Sequence, residues 1–227
     1  MSPQPRLGSD VMESDRHLRK SGPPSSEGSG KSYARLRIIA AVAPLMADRG
    51  YARLEDIHLI EAADVSPRAF YEQFSDRQEA VLAAHDAIFE RYLAILLHAC
   101  DSEREWPLKV KAAVAHTIAF AVAEPEQAQM LSLDALAGDA EVTKRVLASV
   151  DHIADLLKAG RQYTPRDVEL PELTEKALVG AVAAILAGRL MKGESDTLPE
   201  LEPQIVELVL IPYLGPEEAS RIGKPAG

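Results

Sequence analysis

The chain has 227 residues, of which 47% are apolar and 26% charged, and its formal net charge is −10. That is the composition of an ordinary globular protein, with enough length for one large helical domain or for a small domain fused to a larger one. No apolar run approaches the roughly 20 residues that span a bilayer, the first residues lack the apolar core of a secretory signal, and the single cysteine excludes an internal disulfide. We therefore expect a cytoplasmic protein that makes no membrane contact and needs no metal or other cofactor.

Residues 1–31 are rich in Ser, Gly and Pro, which predicts a disordered tail. The basic residues of this tail leave two interpretations open, a solvated segment or an arm that contacts the DNA backbone or minor groove. Residues 1–53 hold nine Lys and Arg against five Asp and Glu, whereas residues 101–227 hold thirteen against twenty-one. Positive charge is thus concentrated in the first quarter of the chain, which favours contact with a negatively charged partner there.

Apolar residues recur at spacings of three and four from residue 32 onward, and this period predicts an all-α protein. The first helix is expected to end at Gly50, and Pro44 inside it should kink the helix or shift its register. Two short helices over 55–63 and 66–73 and a long helix over 76–99 follow. No stretch alternates apolar and polar residues with a period of two, so strands are not expected.

Several apolar helical stretches lie between about 106 and 193, and a last helix is predicted over about 199–213. These elements suggest a small domain over 32–78 and a larger helical domain over 79–215. The remaining residues, 216–227, are expected to form a flexible C-terminal tail.

The two short helices have the features of a helix-turn-helix. Ser66 is a good N-cap and Pro67 a favoured first helical residue, so the second helix should begin there. Asp64 tolerates the left-handed conformation that a tight turn requires. Phe70 and Phe74 suit the buried face of this helix and leave polar residues facing outward. Two short helices joined by a turn of three or four residues form the unit that enters the DNA major groove.

The same stretch resembles the TetR (AcrR-like) family of bacterial regulators. The matching motifs are Gly50-Tyr51, Ala63-Asp64-Val65-Ser66, Phe70-Tyr71-Glu72-Gln73-Phe74 and Ser75-Asp76-Arg77-Gln78-Glu79, with the family's spacing and no gap. The resemblance is strong over 32–98 and continues more weakly to residue 219. It implies an all-α protein with an N-terminal three-helix DNA-binding domain and a C-terminal helical domain for ligand binding and dimerisation.

The resemblance places the recognition helix at the second short helix and implies that Tyr71 and Arg77 meet phosphates. Arg68 is best equipped to bind a guanine edge with two hydrogen bonds, and Gln73 either reads adenine or reaches a phosphate. Glu55 and Asp56 stand where the family usually has Thr or Ser, and their charges would repel phosphate unless they turn away, so Arg53 or His58 is expected to replace them. The predicted DNA-contacting residues are Arg53, His58, Ser66, Pro67, Arg68, Tyr71, Gln73 and Arg77.

The larger helical domain is apolar enough to enclose a cavity, and the resemblance implies that it does so for a small-molecule effector. Candidate lining residues are those where polar or pliant side chains interrupt apolar helical faces. For each of them, ordinary core or surface is the alternative. The candidates are His116, Phe120, Met130, Asp134 and His152.

Two apolar faces near the end of the chain are candidates for pairing with a second copy, as the resemblance implies for its last two helices. The alternative is that these faces close the core of the monomer. The predicted pairing residues are Val182, Ile185, Leu186, Arg189, Ile205, Leu208, Val209 and Tyr213.

These features together predict a ligand-responsive transcription repressor that binds a palindromic operator as a homodimer and is released by a small molecule. The acidic residues of the helix-turn-helix favour one alternative, a helical ligand-binding or protein-interaction module whose DNA-binding unit has decayed. No spaced set of nucleophile, base and acid supports an enzyme.

Overall fold

The computed structural model describes residues 26–132 and 139–224, and every regular element in these two ranges is helical. The prediction of an all-α protein is confirmed. None of the described helices is both long and apolar enough to cross a bilayer. The α-helices in the described ranges are α1 (Ser26–Arg49), α2 (Asp56–Ala62), α3 (Pro67–Tyr71), α4 (Arg77–Asp101), α5 (Trp106–Ala123), α6 (Pro125–Leu131), α7 (Ala140–Leu157), α8 (Thr174–Leu190), α9 (Glu202–Leu214) and α10 (Pro216–Gly223). Short 3₁₀ helices cover Tyr51–Arg53, Lys158–Tyr163 and Ser195–Leu201.

Helix α1 begins six residues earlier than predicted, so the end of the expected N-terminal tail is helical. The rest of that tail, residues 1–25, lies outside the described residues. The helix continues through Pro44, which has no N–H to donate to the carbonyl of Ala40. Both residues are exposed, so water can reach that carbonyl, and the cost of the missing hydrogen bond is small.

Helices α1 to α4 share one apolar core, which fixes the helix-turn-helix against the start of α4. Phe70 of α3 is fully buried and Phe74, just after α3, nearly so, as their spacing predicted, and they pack on Ile38 of α1 and Leu59 of α2. The turn between α2 and α3 contains Asp64 at φ 49°, the one non-glycine residue with positive φ in the described ranges. The left-handed conformation inferred for Asp64 is therefore present.

The larger domain is organised around a buried carboxylate. Glu175 is 1% exposed and receives two hydrogen bonds from Arg161, at 2.8 and 2.7 Å, and one from the hydroxyl of Tyr213 at 3.2 Å. Burial opposes its ionisation, but these donors outweigh it and lower the pKa of Glu175. Trp106 packs between Tyr163 and Tyr213, and its ring lies so close to Gly160 that a Cβ there would be 2.2 Å from it.

Residues 216–223 form α10 instead of the expected flexible tail. Ala219 and Ile222 are buried against α9, and the ammonium of Lys111 in α5 donates to the carbonyls of Ile222 and Lys224 at 2.8 and 2.7 Å. The start of this helix carries ordinary sequence signals, since Pro216 is its first residue and two glutamates follow in its first turn. The burial of its other face depends on contacts that are distant in sequence.

The turn at Asp64 gives a direct test of backbone strain. We expect Asp64→Gly to raise the free energy of unfolding by about 0.5–1 kcal/mol, because glycine adopts positive φ without a Cβ clash. Asp64→Asn is the matched control, since asparagine tolerates the same conformation but cannot pair with Arg37, which lies 2.9 Å from the exposed carboxylate. Urea unfolding of the three proteins measures the difference. A glycine variant no more stable than the asparagine variant would show that Asp64 is unstrained.

Candidate nucleic-acid interface and ligand cavity

Helix α3 presents its polar side chains to solvent, as a recognition helix must. The hydroxyl of Ser66 accepts a hydrogen bond from the backbone N–H of Ala69 at 3.1 Å, and Pro67 occupies the first helical position. The inner face is held by Phe70. Arg68, with 90% of its side chain exposed, and Tyr71, 55% exposed, point away from the core. Gln73 follows the end of the helix, and its backbone carbonyl accepts a hydrogen bond from Arg35.

The carboxylate of Asp56 joins three helices around the helix-turn-helix. One oxygen accepts a hydrogen bond from the hydroxyl of Tyr71 at 3.1 Å, and the other accepts from the backbone N–H of Arg77 at 2.7 Å. The hydrogen bond from the hydroxyl also raises the pKa of Tyr71. Asp56 is thus turned toward its own protein, which removes part of the repulsion that its position at the start of α2 implied for phosphate.

The predicted cationic contacts differ in how far they are already engaged within the protein. The guanidinium of Arg68 forms an ion pair with Glu72 at 3.0 Å. Arg77 is half-buried, with its guanidinium 5.0 Å from the ring centre of Tyr51 and a hydrogen bond to the carbonyl of Tyr51 at 3.3 Å. The exposed side chain of Arg53 makes no hydrogen bond or ion pair with the described residues. Of the three arginines, Arg53 is therefore the one that could bind a phosphate without first breaking a contact within the protein.

His58 is the third residue of α2. Its Nδ1 accepts a hydrogen bond from the backbone N–H of Glu55 at 3.1 Å, and its Nε2 lies 3.3 Å from a guanidinium nitrogen of Arg49. Residues 54–78, which contain both short helices, hold two Arg against six Asp and Glu. The positive charge counted in the first quarter of the chain is thus not shared by the two helices that would approach DNA.

A hydrogen bond connects the helix-turn-helix region to the larger domain. The hydroxyl of Tyr51 donates to the carboxylate of Asp139, which is the N-cap of α7 and also accepts from the backbone N–H groups of Glu141 and Val142. The guanidinium of Arg77 packs over the ring of Tyr51. A continuous set of contacts therefore runs from the start of α7 through Tyr51, Arg77 and Asp56 to the recognition helix.

The larger domain contains a partly open cavity of about 340 Å³, lined mainly by α4, α5, α7 and α8. Among the residues predicted to line it, Phe120 does so, whereas Met130 is buried in the core beside the helix-turn-helix. His116 and His152 are exposed and lie outside the lining, although the ring of His152 packs edge-on against a lining residue, Phe89. Asp134 lies outside the described residues.

Sequence interpretation missed several lining residues that share one stripe of α5. Lys109, Ala113, Thr117 and Phe120 follow one another at spacings of four, four and three, so they lie on one helical face. That stripe is visible in the sequence, but an apolar helical face is equally typical of a packed core. The residue that separates the two interpretations is Lys109, a charge within an otherwise apolar stripe.

Comparison with known proteins supports the architecture. No family model matches the sequence, and no curated protein matches it significantly. Among solved structures, the fatty acid degradation regulator FadR from Bacillus halodurans superposes with a TM-score of 0.68 at 17% identity, over 85% of this chain and 97% of that one. FadR from Bacillus subtilis in complex with stearoyl-CoA gives 0.67 at 13% identity, over 79% and 98%. A TetR-family transcription regulator from Marinobacter aquaeolei gives 0.61 at 15% identity, over 80% and 96%.

The chain has the TetR-family fold. The resemblance noted in the sequence is confirmed at this level, with the helix-turn-helix in the N-terminal part and a helical domain behind it.

Within this TetR fold, the predicted pairing residues divide into two groups. Four of them are only 0–8% exposed in the monomer, so they belong to its own core and are no longer part of the proposed pairing surface. These are Leu186, Ile205, Val209 and Tyr213. The other four remain accessible, with Ile185 38% exposed. The accessible pairing residues are Val182, Ile185, Arg189 and Leu208.

The hydrogen bond between Tyr51 and Asp139 predicts a specific pH dependence. Burial, then the bond to Asp139, raises the pKa of Tyr51 to about 12, and the same bond lowers the pKa of Asp139. An unfolded tyrosine ionises near pH 10, so the stabilisation from Tyr51 is complete below pH 10 and is lost as the pH rises toward 12. The contribution from Asp139 is present above its ordinary pKa and is lost as the pH falls below it.

Tyr51→Phe should therefore flatten the alkaline loss of stability. Between pH 9 and 11 the free energy of unfolding should fall by about 1 kcal/mol less in the variant than in the wild type. Urea unfolding at each pH measures this slope, and Tyr163→Phe serves as a control at a tyrosine for which no hydroxyl hydrogen bond is described. Equal slopes for wild type and Tyr51→Phe would show that the bond to Asp139 does not form in solution.

Proposed function

We propose that this chain is a TetR-family transcription regulator, a cytoplasmic homodimer that represses genes by binding a palindromic operator and leaves it when an apolar or amphipathic small molecule occupies the cavity. The observation that carries the proposal is the exposed α3, held in a helix-turn-helix and linked to the start of a cavity-lining helix. The TetR fold shared with FadR from Bacillus subtilis, which is described in complex with stearoyl-CoA, supports it.

In the proposed complex, α3 enters the major groove. Arg68 binds a guanine edge with two hydrogen bonds, a contact worth about 1–3 kcal/mol of base discrimination, and Ser66, Pro67 and Gln73 lie beside it. The hydroxyl of Tyr71 exchanges its bond to Asp56 for a bond to phosphate. Additional phosphate contacts come from Arg53, His58 and Arg77.

Release follows from a shift between two populations of the dimer. A ligand that prefers the form unable to bind DNA by tenfold weakens operator binding tenfold, or about 1.4 kcal/mol. The contact from Asp139 through Tyr51 and Arg77 offers one physical route, because α7 lines the cavity and begins at Asp139. Movement of α7 would shift Tyr51, which contacts Arg77. A shift of Arg77 would in turn change the positions of Asp56 and Tyr71.

A dimer provides two recognition helices, which is why a near-palindromic operator with half-sites about 34–36 Å apart is proposed. The proposed interface consists of the accessible faces of α8 and α9. The small exposed residues Ala177, Ala181 and Ala184 lie along α8 and would allow a second copy to approach closely, and Ile211 of α9 is also exposed.

A second candidate function is a ligand-binding module with a decayed DNA-binding unit. The excess of acidic residues over 54–78 favours it, because these charges weaken the attraction to phosphate. The two candidates differ in one measurable property, since a functional regulator loses DNA affinity steeply as salt rises and a decayed one has little affinity to lose.

The DNA-binding proposal is tested with genomic fragments captured by the purified full chain, sequenced and searched for an inverted repeat. We expect Arg68→Ala to weaken binding to that repeat by about 10- to 100-fold and Tyr71→Phe to weaken it further. Arg166→Ala and Tyr163→Phe, both outside the helix-turn-helix, are the matched controls and should bind like the wild type. A double variant that binds as well as the wild type at the same salt would refute the site. Failure to enrich any repeat, with no salt dependence, would favour the decayed module.

The dimer is tested by charge placed on the proposed interface. Ile185→Glu should convert the dimer to monomer in sedimentation, because two carboxylates would face each other across a symmetric, apolar contact. Ile95→Glu on α4 is the control, since Ile95 has the same 38% exposure but lies outside the proposed surface. Sedimentation as a dimer for both variants would move the interface elsewhere.

A further inference from the structure

The hydroxyl groups in the wall of the cavity already donate their hydrogen bonds within the protein. Thr117, Ser132 and Ser149 each donate to a backbone carbonyl three or four residues earlier, at 2.6–3.2 Å. Because Thr117 gives its proton to that carbonyl, the hydroxyl of Tyr92, 2.9 Å away, donates to Thr117. A ligand with several hydrogen-bond acceptors would therefore find few free hydroxyl donors here and would lose affinity through its unpaired acceptors.

Lys109 is the one charged residue among the described residues that line the cavity, and no carboxylate accompanies it. It is half-buried and forms no ion pair with the described part of the chain. Its charge is felt at the neighbouring wall residue Cys100, where burial raises the thiol pKa and the ammonium of Lys109 opposes that shift. An apolar cavity thus carries a single unpaired cation.

That cation lies at one end of an elongated space. Along α4 and α5, Cys100 meets Lys109 at one end of the lining, since its thiol lies 3.6 Å from the carbonyl of Lys109. Phe89 and Phe120 lie at the other end, where both rings pack near Tyr92. In both α4 and α5 these residues are eleven positions apart, which corresponds to about 16 Å at 1.5 Å per residue. The cavity therefore has the length of an extended alkyl chain of about a dozen carbons.

We propose that the cavity binds a single unbranched alkyl chain that carries an anionic head group, with the head group at Lys109 and the chain end between Phe89 and Phe120. This ligand class deepens the proposed function, on whose effector cavity it rests. An anion gains the ammonium as its partner, a neutral polar head group meets no free hydroxyl, and a cationic head group is repelled. The anion at Lys109 is the carboxylate of a free fatty acid, because the pantetheine arm of an acyl-CoA thioester separates the phosphates from the acyl chain and would not fit in this space beside a chain of about a dozen carbons.

Trp106 makes the test direct, since it is the one tryptophan of the chain and lies in the cavity wall. Its fluorescence is titrated in the purified full chain, without DNA, with laurate, dodecanol, dodecyltrimethylammonium and lauroyl-CoA below their micelle concentrations. We expect laurate to bind at least about tenfold more tightly than dodecanol, and dodecyltrimethylammonium to bind most weakly. Tighter binding of lauroyl-CoA than of laurate would overturn the placement of a carboxylate at Lys109.

Variants of Lys109 separate the contribution of its charge to ligand affinity from the contribution of the alkyl chain. Lys109→Gln should lose the preference for the anion and keep the affinity for dodecanol, whereas Lys109→Arg should keep the preference. Lys192→Gln, an exposed residue beyond α8 that does not line the cavity, should change nothing. Thermal unfolding shows whether each variant is folded. If Lys109→Gln does not fold, the comparison of Lys109→Arg with the wild type still tests the proposal.

Chain length provides an independent measure. Affinity should rise by about fourfold per methylene from octanoate to laurate and should not rise further to palmitate, because the space between Lys109 and Phe120 is then full.

Two further results would overturn the proposal. Equal affinities for laurate, lauroyl-CoA and dodecanol, unchanged in Lys109→Gln, would remove Lys109 as the head-group residue. If no twelve-carbon ligand changes the fluorescence, and calorimetry also detects no binding, the proposal of an alkyl-chain ligand is refuted. Neither result bears on operator binding, which is measured separately, and a failure to bind DNA would leave the ligand result intact.

Discussion

The carboxylate of Asp56, with its two donors, is the constraint on which the helix-turn-helix depends. Asp56 begins α2, the hydroxyl of Tyr71 ends α3, and the N–H of Arg77 begins α4. One side chain therefore fixes the relative position of three helix ends, and it does so with a negative charge at a surface proposed to meet phosphate. The arrangement is consistent because two donors stabilise the charge, and the N–H of Arg77, in the first turn of α4, would otherwise have no partner within its helix.

The cavity of the larger domain shows the opposite condition, since Lys109, the one charged residue among its described lining residues, has no ion-pair partner in the described part of the chain. The hydroxyl groups of Thr117, Ser132 and Ser149 donate to backbone carbonyls and are not free to donate to a ligand. In the proposed complex, selectivity therefore depends on the charge of Lys109 and on the length of the space. Helix α7 belongs to both regions, because its middle lines the cavity and its N-cap, Asp139, holds Tyr51.

Local sequence signals predicted the helix-turn-helix in detail. Ser66 and Pro67 start α3, and Asp64 adopts the left-handed turn, because caps and turns depend on a few neighbouring residues. The exposed positions of Arg68 and Tyr71 followed from helical periodicity alone. The partners of these residues did not, since Asp56 meets Tyr71 fifteen residues away and Tyr51 meets Asp139 across eighty-eight.

The apolar faces near the end of the chain show a different limit of sequence interpretation. Periodicity identifies a buried face but not what buries it, so Tyr213 and Ile205 looked suitable for pairing although they close the core of the monomer. The cavity was equally hidden, because a lined space and a packed core require the same apolar stripe. Of the five residues expected to line it, Phe120 alone among the four described does so.

The contact between Lys111 and the end of α10 joins the last part of the described chain to a cavity-lining helix. The C-terminal segment therefore supports one wall of the cavity. A shortened chain that stops before α10 would lose this support on α5. For anyone who produces this protein, an affinity tag or immobilising linker after α10 should be long enough to leave the two carbonyls bound by Lys111 undisturbed.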